Sequence, residues 1–193
     1  MNLVIESKKI HNENYKDKIA VQSLINKSNI TKSTFENTNF KESQFFNSSF
    51  IDCDLTSTNF ESSNFDNVVF NNCKITSTIY RSSKFKKCVF EKCNFENAIC
   101  RNLLLKDSKF TKCIIKNSDF NRKYMDNCYI EDVLYEKCKL FMYFILNSNI
   151  NNVKFLNSNL TLSKFIHNNI SNRDFVNSKL LCIFDKNYSN LSS

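Results

Sequence analysis

The sequence contains no glycine, no proline and no tryptophan, and only two histidines. Ordinary sandwiches and barrels need tight turns, which draw on Gly for positive φ and on Pro for a fixed φ. A 193-residue chain lacking both is hard to reconcile with such a fold. There is no Gly-rich phosphate loop. With His11 and His167 as its only imidazoles, the chain offers no plausible Ser–His–Asp set and no Cys/His pair at zinc spacing. His167 falls on an outward polar position, where a surface histidine is the simple explanation. No run approaches the 18 apolar residues of a membrane-crossing helix, and Met1 to Asn26 is too polar for a secretory leader. These gaps point away from an enzyme, a cofactor, a metal and a membrane span.

What the chain does have is net charge and cysteine. A formal charge of +8 favours an anionic partner through steering. Nine cysteines could suggest disulfides, but their placement suggests packing. Cys53, Cys73, Cys88, Cys93, Cys113, Cys128 and Cys138 share one inward, small-residue position, where a thiol serves as a small hydrophobe. Reduced thiols and the missing leader together predict a cytoplasmic protein.

The dominant signal is a beat of five. Between Thr34 and Phe70 the apolar residues Phe35, Phe40, Phe45, Phe50, Leu55, Phe60, Phe65 and Phe70 recur every fifth position. A helix needs a period of 3.6 and a simple strand a period of 2, so this is a repeat. From Ile30 to Leu180 all 31 such centres are apolar, which composition alone would give about once in 10^12. Two residues before each centre sits a small one, as in Ser33, Thr38, Ser43, Ser48, Cys53 and Thr58. The other three positions are mostly polar. A large and a small residue therefore point inward while three face water.

This pattern resembles the pentapeptide-repeat family, with its small residue, then Asn or Asp, then Leu or Phe, then two polar positions. The resemblance covers about residues 28–183. It implies an all-β fold: a right-handed quadrilateral parallel β-helix, four pentapeptides to a coil and about eight coils in all. At the usual strand spacing of about 4.8 Å, such a rod is roughly 37 Å long. Residues 1–27 keep part of the phase but carry Lys8, Glu13 and Lys18 at small positions, so an irregular first coil or cap is expected there. Residues 184–193 form an expected C-terminal tail, because the pattern is lost in CIFDKNYSNLSS.

KKIHNENYKDKI, residues 8–19, is loosely similar to the opening of the quinolone-resistance branch. That branch protects DNA gyrase by imitating the charge and shape of duplex DNA. The resemblance therefore implies a protein partner, with a type II topoisomerase as one candidate. Two departures stand out. A DNA mimic should be acidic and this chain is basic. The branch dimerises through a C-terminal helix, and no amphipathic helical stretch is present here.

Folding the sequence modulo 20 yields two candidate surfaces. Arg81, Arg101 and Arg122 lie on one side, with Lys84, Lys86, Lys87 and Lys106 on the adjacent side, as a weak polyanion site or a solvated face. Exposed aromatics for base stacking are not interleaved there, which argues against specific nucleic-acid reading. Phe141, Met142, Leu162, Leu181 and Cys182 stack on one side, with Phe144, Leu146 and Ile166 on the next and Leu156 and Val176 on a third. Apolar residues at wet positions mark partner docking or a homodimer, or else a register change that turns them inward.

One column breaks the small-residue rule. Leu103, Lys123 and Tyr143 replace it in successive coils while the facing centres shrink from Phe85 to Leu105, Met125 and Ile145. Since a buried ammonium is costly, the expectation is that this side bulges and Lys123 reaches solvent.

Overall fold

The computed structural model describes residues 2–170 and 174–184. The chain winds as a square parallel β-helix of about nine coils. Every strand pairing is parallel, and partners lie 20 residues apart through residue 161, as in Phe45 with Phe65 and Phe65 with Phe85. One face forms a ten-stranded sheet running from Val4–Glu6 to Lys179–Phe184. Two more faces merge into a twelve-stranded sheet, and the fourth is a file of single bridges such as Ile79 with Ile99. Residues 4–26 already pair in register with the coil above them, which accounts for the extra coil. Lys8, Glu13 and Lys18 are exposed there. The expected tail falls almost wholly on residues 185–193, outside the described part. The register holds until Thr161 and slips between Thr161 and Lys164 against the last strand.

Without glycine, the corners are made by ordinary residues in the left-handed region. Among the described residues, thirty-four non-glycine residues, each two positions after a centre, have φ between 48° and 60°. Half of them are Asn or Asp, whose short polar side chains tolerate this conformation best. Many also bond along the rod: Asn72 donates to Asp52 at 2.6 Å, and Asn127 to Asp107 at 2.7 Å.

The centres fill the interior as ladders. Phe45, Phe65 and Phe85 stack nearly parallel at 4.5 and 4.4 Å, and Phe50, Phe70 and Phe90 at 5.2 and 4.8 Å. Neighbouring ladders meet edge-on, as Phe60 does Phe65 at 5.5 Å and 71°. Both arrangements suit the ring quadrupole. The small inward hydroxyls are satisfied within the core. Ser63 Oγ donates to Phe40 O at 2.8 Å and accepts the Ser43 N–H at 3.1 Å. Cysteine fits the same slot, Cys73 Sγ lying 3.3 Å from Phe50 O. All nine cysteines are free thiols, eight of them buried. Burial pushes the Cys88 thiol up to about 12 and the Cys138 thiol up to about 11.

The expectation for Lys123 is overturned. Its side does not bulge: the Tyr124 N–H reaches Leu103 O and the Phe144 N–H reaches Lys123 O, both at 2.9 Å. Lys123 is fully buried, and its Nζ has no hydrogen-bond partner. The ammonium lies among aromatic faces, 4.4 Å from the Phe120 ring centroid, 4.9 Å from Phe110 and 5.3 Å from Tyr143. The rings supply part of the attraction that water would have given. Shrinkage at the centre Cys100, as well as at Met125, goes with the longer side chain. Burial lowers the Lys123 pKa to about 8. Beside it, the Tyr143 hydroxyl meets the Tyr135 hydroxyl at 2.8 Å and Met125 Sδ at 3.4 Å.

Candidate interaction surface

A rod filled by its own side chains offers its exterior. The described residues include a shallow groove of about 340 Å³ lined by Phe46, Asn47, Asp66, Asn67 and Lys87, which is open rather than enclosing. They include no cluster of His, Cys, Asp or Glu able to hold a metal ion. The two imidazoles bond along the rod, His11 Nδ1 to Thr31 Oγ1 at 2.8 Å and His167 Nδ1 to Asn147 Oδ1 at 2.9 Å.

All seven basic candidates are exposed, but they are not equivalent. Arg101 places Nε and a terminal guanidinium nitrogen 2.6 Å from Asp119 Oδ2, and Asp119 is itself nearly buried. Arg81 lies 3.8 Å from Glu61. These two cations are partly neutralised. Among the described residues no ion pair engages Lys84, Lys86, Lys87, Lys106 or Arg122. Asp66, Asp107 and Asp126 border this group without forming such a pair.

The apolar candidates stay outside. Phe141, Met142, Phe144, Leu146 and Ile166 are half-buried, while Leu162 and Leu181 are 46% and 63% exposed. Within the sheet Phe144 pairs with Lys164 and Leu146 with Ile166. Lys164 Nζ lies 5.6 Å over the Phe144 ring. Leu104 and Tyr124 extend this surface and were not among the sequence candidates. The register shows why they belong: Leu104 pairs with Tyr124, and Tyr124 with Phe144. The signal was available as a file of residues 20 apart, one position before each centre. At the last coil the core itself opens, with Leu180 42% exposed.

The pentapeptide repeat region profile matches residues 23–98, and the pentapeptide repeats profile matches residues 88–122, so together they span 23–122. The chain is a pentapeptide-repeat protein. No curated protein matches this pentapeptide-repeat protein by sequence. Among solved structures it is similar to a trypsin-treated variant of QnrB1, described as a plasmid-mediated fluoroquinolone resistance protein. That likeness has a TM-score of 0.61 at 12% identity and covers 97% of this chain and 93% of the other. A second trypsin-treated QnrB1 variant gives 0.56 at 12%, covering 97% and 92%. HetL, from the cyanobacterium Nostoc and involved in heterocyst differentiation regulation, gives 0.42 at 8%, covering 92% and 85%. At 12% identity, what is shared with the two QnrB1 structures is the fold. The pentapeptide-repeat protein has no helix, among its described residues, long and apolar enough to cross a membrane.

Proposed function

We propose that this protein is a non-enzymatic binding rod that works by docking a protein partner on its outer surface. One observation carries the proposal. Leu162 is 46% exposed on a coil whose interior is already closed by Leu140, Leu160 and Phe165, so core packing does not account for it. Reduced cysteines suit work in the cytoplasm. Affinity capture from the native host tests the proposal, using the wild type and a Phe141→Glu/Leu162→Glu variant. A protein retained by the wild type and lost by the variant is the expected result. Identical captures by both would overturn it.

A second reading is protection or modulation of a type II topoisomerase such as DNA gyrase. It is supported by the fold shared with QnrB1 and weighed down by the basic charge. A supercoiling assay with and without quinolone decides it: no effect at micromolar protein would remove it. Self-association through the apolar flank is a further version of docking, read by solution scattering. Weak polyanion binding through the five unpaired cations would fall steeply with rising salt.

A further inference from the structure

The two candidate surfaces form one. Lys84, Leu104, Tyr124, Phe144 and Lys164 are successive partners along one file of the ten-stranded sheet. Lys86, Lys106, Asp126, Leu146 and Ile166 form the parallel file beside it. Arg122, Met142 and Leu162 follow one another along the adjoining corner, all with positive φ. One side of the rod therefore changes from mainly cationic to mainly apolar as it climbs, with Asp126 at the junction and Lys164 lying over the Phe144 ring at the apolar end. From Lys84 to Lys164 is four coil steps, or about 19 Å.

The corner carries the decisive observation. Among the described residues, 34 non-glycine residues have positive φ, and of these only Met142 and Leu162 are apolar, standing one coil apart on this side. A left-handed corner suits Asn and Asp best, and the other long side chains that stand there, Lys, Arg, Glu and Gln, are all polar, so what sets Met142 and Leu162 apart is an apolar side chain at a wet position. Leu162 gains no core contact in return, being 46% exposed. Neither backbone nor interior explains these two residues, whereas an external partner does.

We infer that this side binds an acidic polypeptide segment that ends in an apolar anchor, its carboxylates over Lys84, Lys86, Lys87, Lys106 and Arg122 and its anchor over Met142, Phe144, Leu146, Leu162 and Ile166. The inference rests on the protein-docking function proposed above and specifies its chemistry. A span of about 19 Å accommodates a helical segment of roughly 13 residues. Nucleic acid would match the cationic half and leave the apolar half against phosphate. An anionic membrane would need apolar side chains that project, whereas most of these are half-buried in the sheet surface.

The probe is a fluorescein-labelled 13-residue helical peptide with Glu in its first two turns and Leu and Phe in its last two. Comparators are a scrambled peptide of the same composition, a Lys-for-Glu peptide, a 16-base-pair duplex and phosphatidylserine vesicles. The acidic–apolar peptide should bind at least tenfold more tightly than either control peptide and than duplex or vesicles. Lys86→Glu/Lys106→Glu should weaken it at least tenfold. So should Met142→Asn/Leu162→Asn, in which Asn suits the corner and leaves the melting temperature unlowered. No binding of the probe, tighter binding of duplex or vesicles, binding unchanged in either double variant, or displacement of the probe by a second copy of the chain would each overturn the inference. If the host partner is still captured by both double variants, the docking function stands and this surface falls.

Discussion

The coils from Phe35 to Phe95 and those from Leu103 to Phe165 share one register but fill it differently. In the first set, three of the four columns stack large aromatic centres directly on one another, the fourth being broken by Leu55 and Ile75, and every inward partner is a Ser, Thr, Cys or Val. In the second, the ladders are interrupted by Leu105, Met125, Leu140 and Ile145, and Leu103, Lys123 and Tyr143 occupy small-residue slots. The backbone ladder is unbroken in both. A solenoid can thus exchange side-chain volume between neighbouring columns at constant register, because each coil needs only to match the one above and below. The second set also carries the apolar exterior. We attribute this to use rather than to stability, since natural proteins commonly give up stability at working surfaces.

The largest contrast should come from the regular half. Phe65 stacks on Phe45 and Phe85 and meets Phe60 edge-on. Phe65→Ala should cost about 4 kcal/mol by denaturant unfolding, through lost burial and a trapped cavity. Met125→Ala, in the irregular half, should cost less, about 2 kcal/mol, because its long neighbour Lys123 can move into the space. Equal costs would erase the distinction between the two halves.

Next comes Lys123. Its folded pKa of about 8 lies below the ordinary 10.5. Below pH 8 the folded state holds a buried cation, and the penalty is fully present. Between pH 8 and about 10.5 the unfolded state binds the proton and the folded state does not, so this group's contribution to stability rises with pH. The thiols oppose this, since their raised folded pKa values favour the unfolded thiolate at high pH. The informative quantity is therefore the difference between variants. Lys123→Met should be more stable than wild type by about 3 kcal/mol at pH 7, and the gap should shrink towards zero near pH 10.5. A gap that does not change with pH would assign the effect to packing alone.

Smaller effects are expected at the corners. Asn67→Ala should destabilise by about 1 kcal/mol, by placing a Cβ without a polar partner at φ 56° and breaking its 3.0 Å bond to Asn47. Leu162→Asn should do the reverse, by somewhat less than about 1 kcal/mol. Thermal unfolding of the two variants side by side checks both signs.

Much of this was legible in the sequence because the period of five fixes which residue lies above which. The centres, the small inward slots and the stacking of Cys53, Cys73, Cys93 and Cys113 all follow from counting. Lys123 did not follow. Counting places it in an inward column but does not say that Phe110, Phe120 and Tyr143 present ring faces to it, and a solvated ammonium was the cheaper expectation. The corners were half legible: the period marks the position two after each centre, but that this position takes a left-handed backbone, where Met142 and Leu162 are the apolar exceptions among the described residues, needed the structure. The joining of basic and apolar residues on one sheet was present in the modular arithmetic, though only once Leu104 and Tyr124 are placed between them.

Native-state hydrogen exchange tests most directly whether the irregular half is the less stable one. At pH 7 the strand amides of residues 124–166 should exchange faster than those of residues 44–96. Lys123→Met should bring the first set close to the second. Uniform protection along the wild-type rod, or protection of residues 124–166 that Lys123→Met leaves unchanged, would contradict the account.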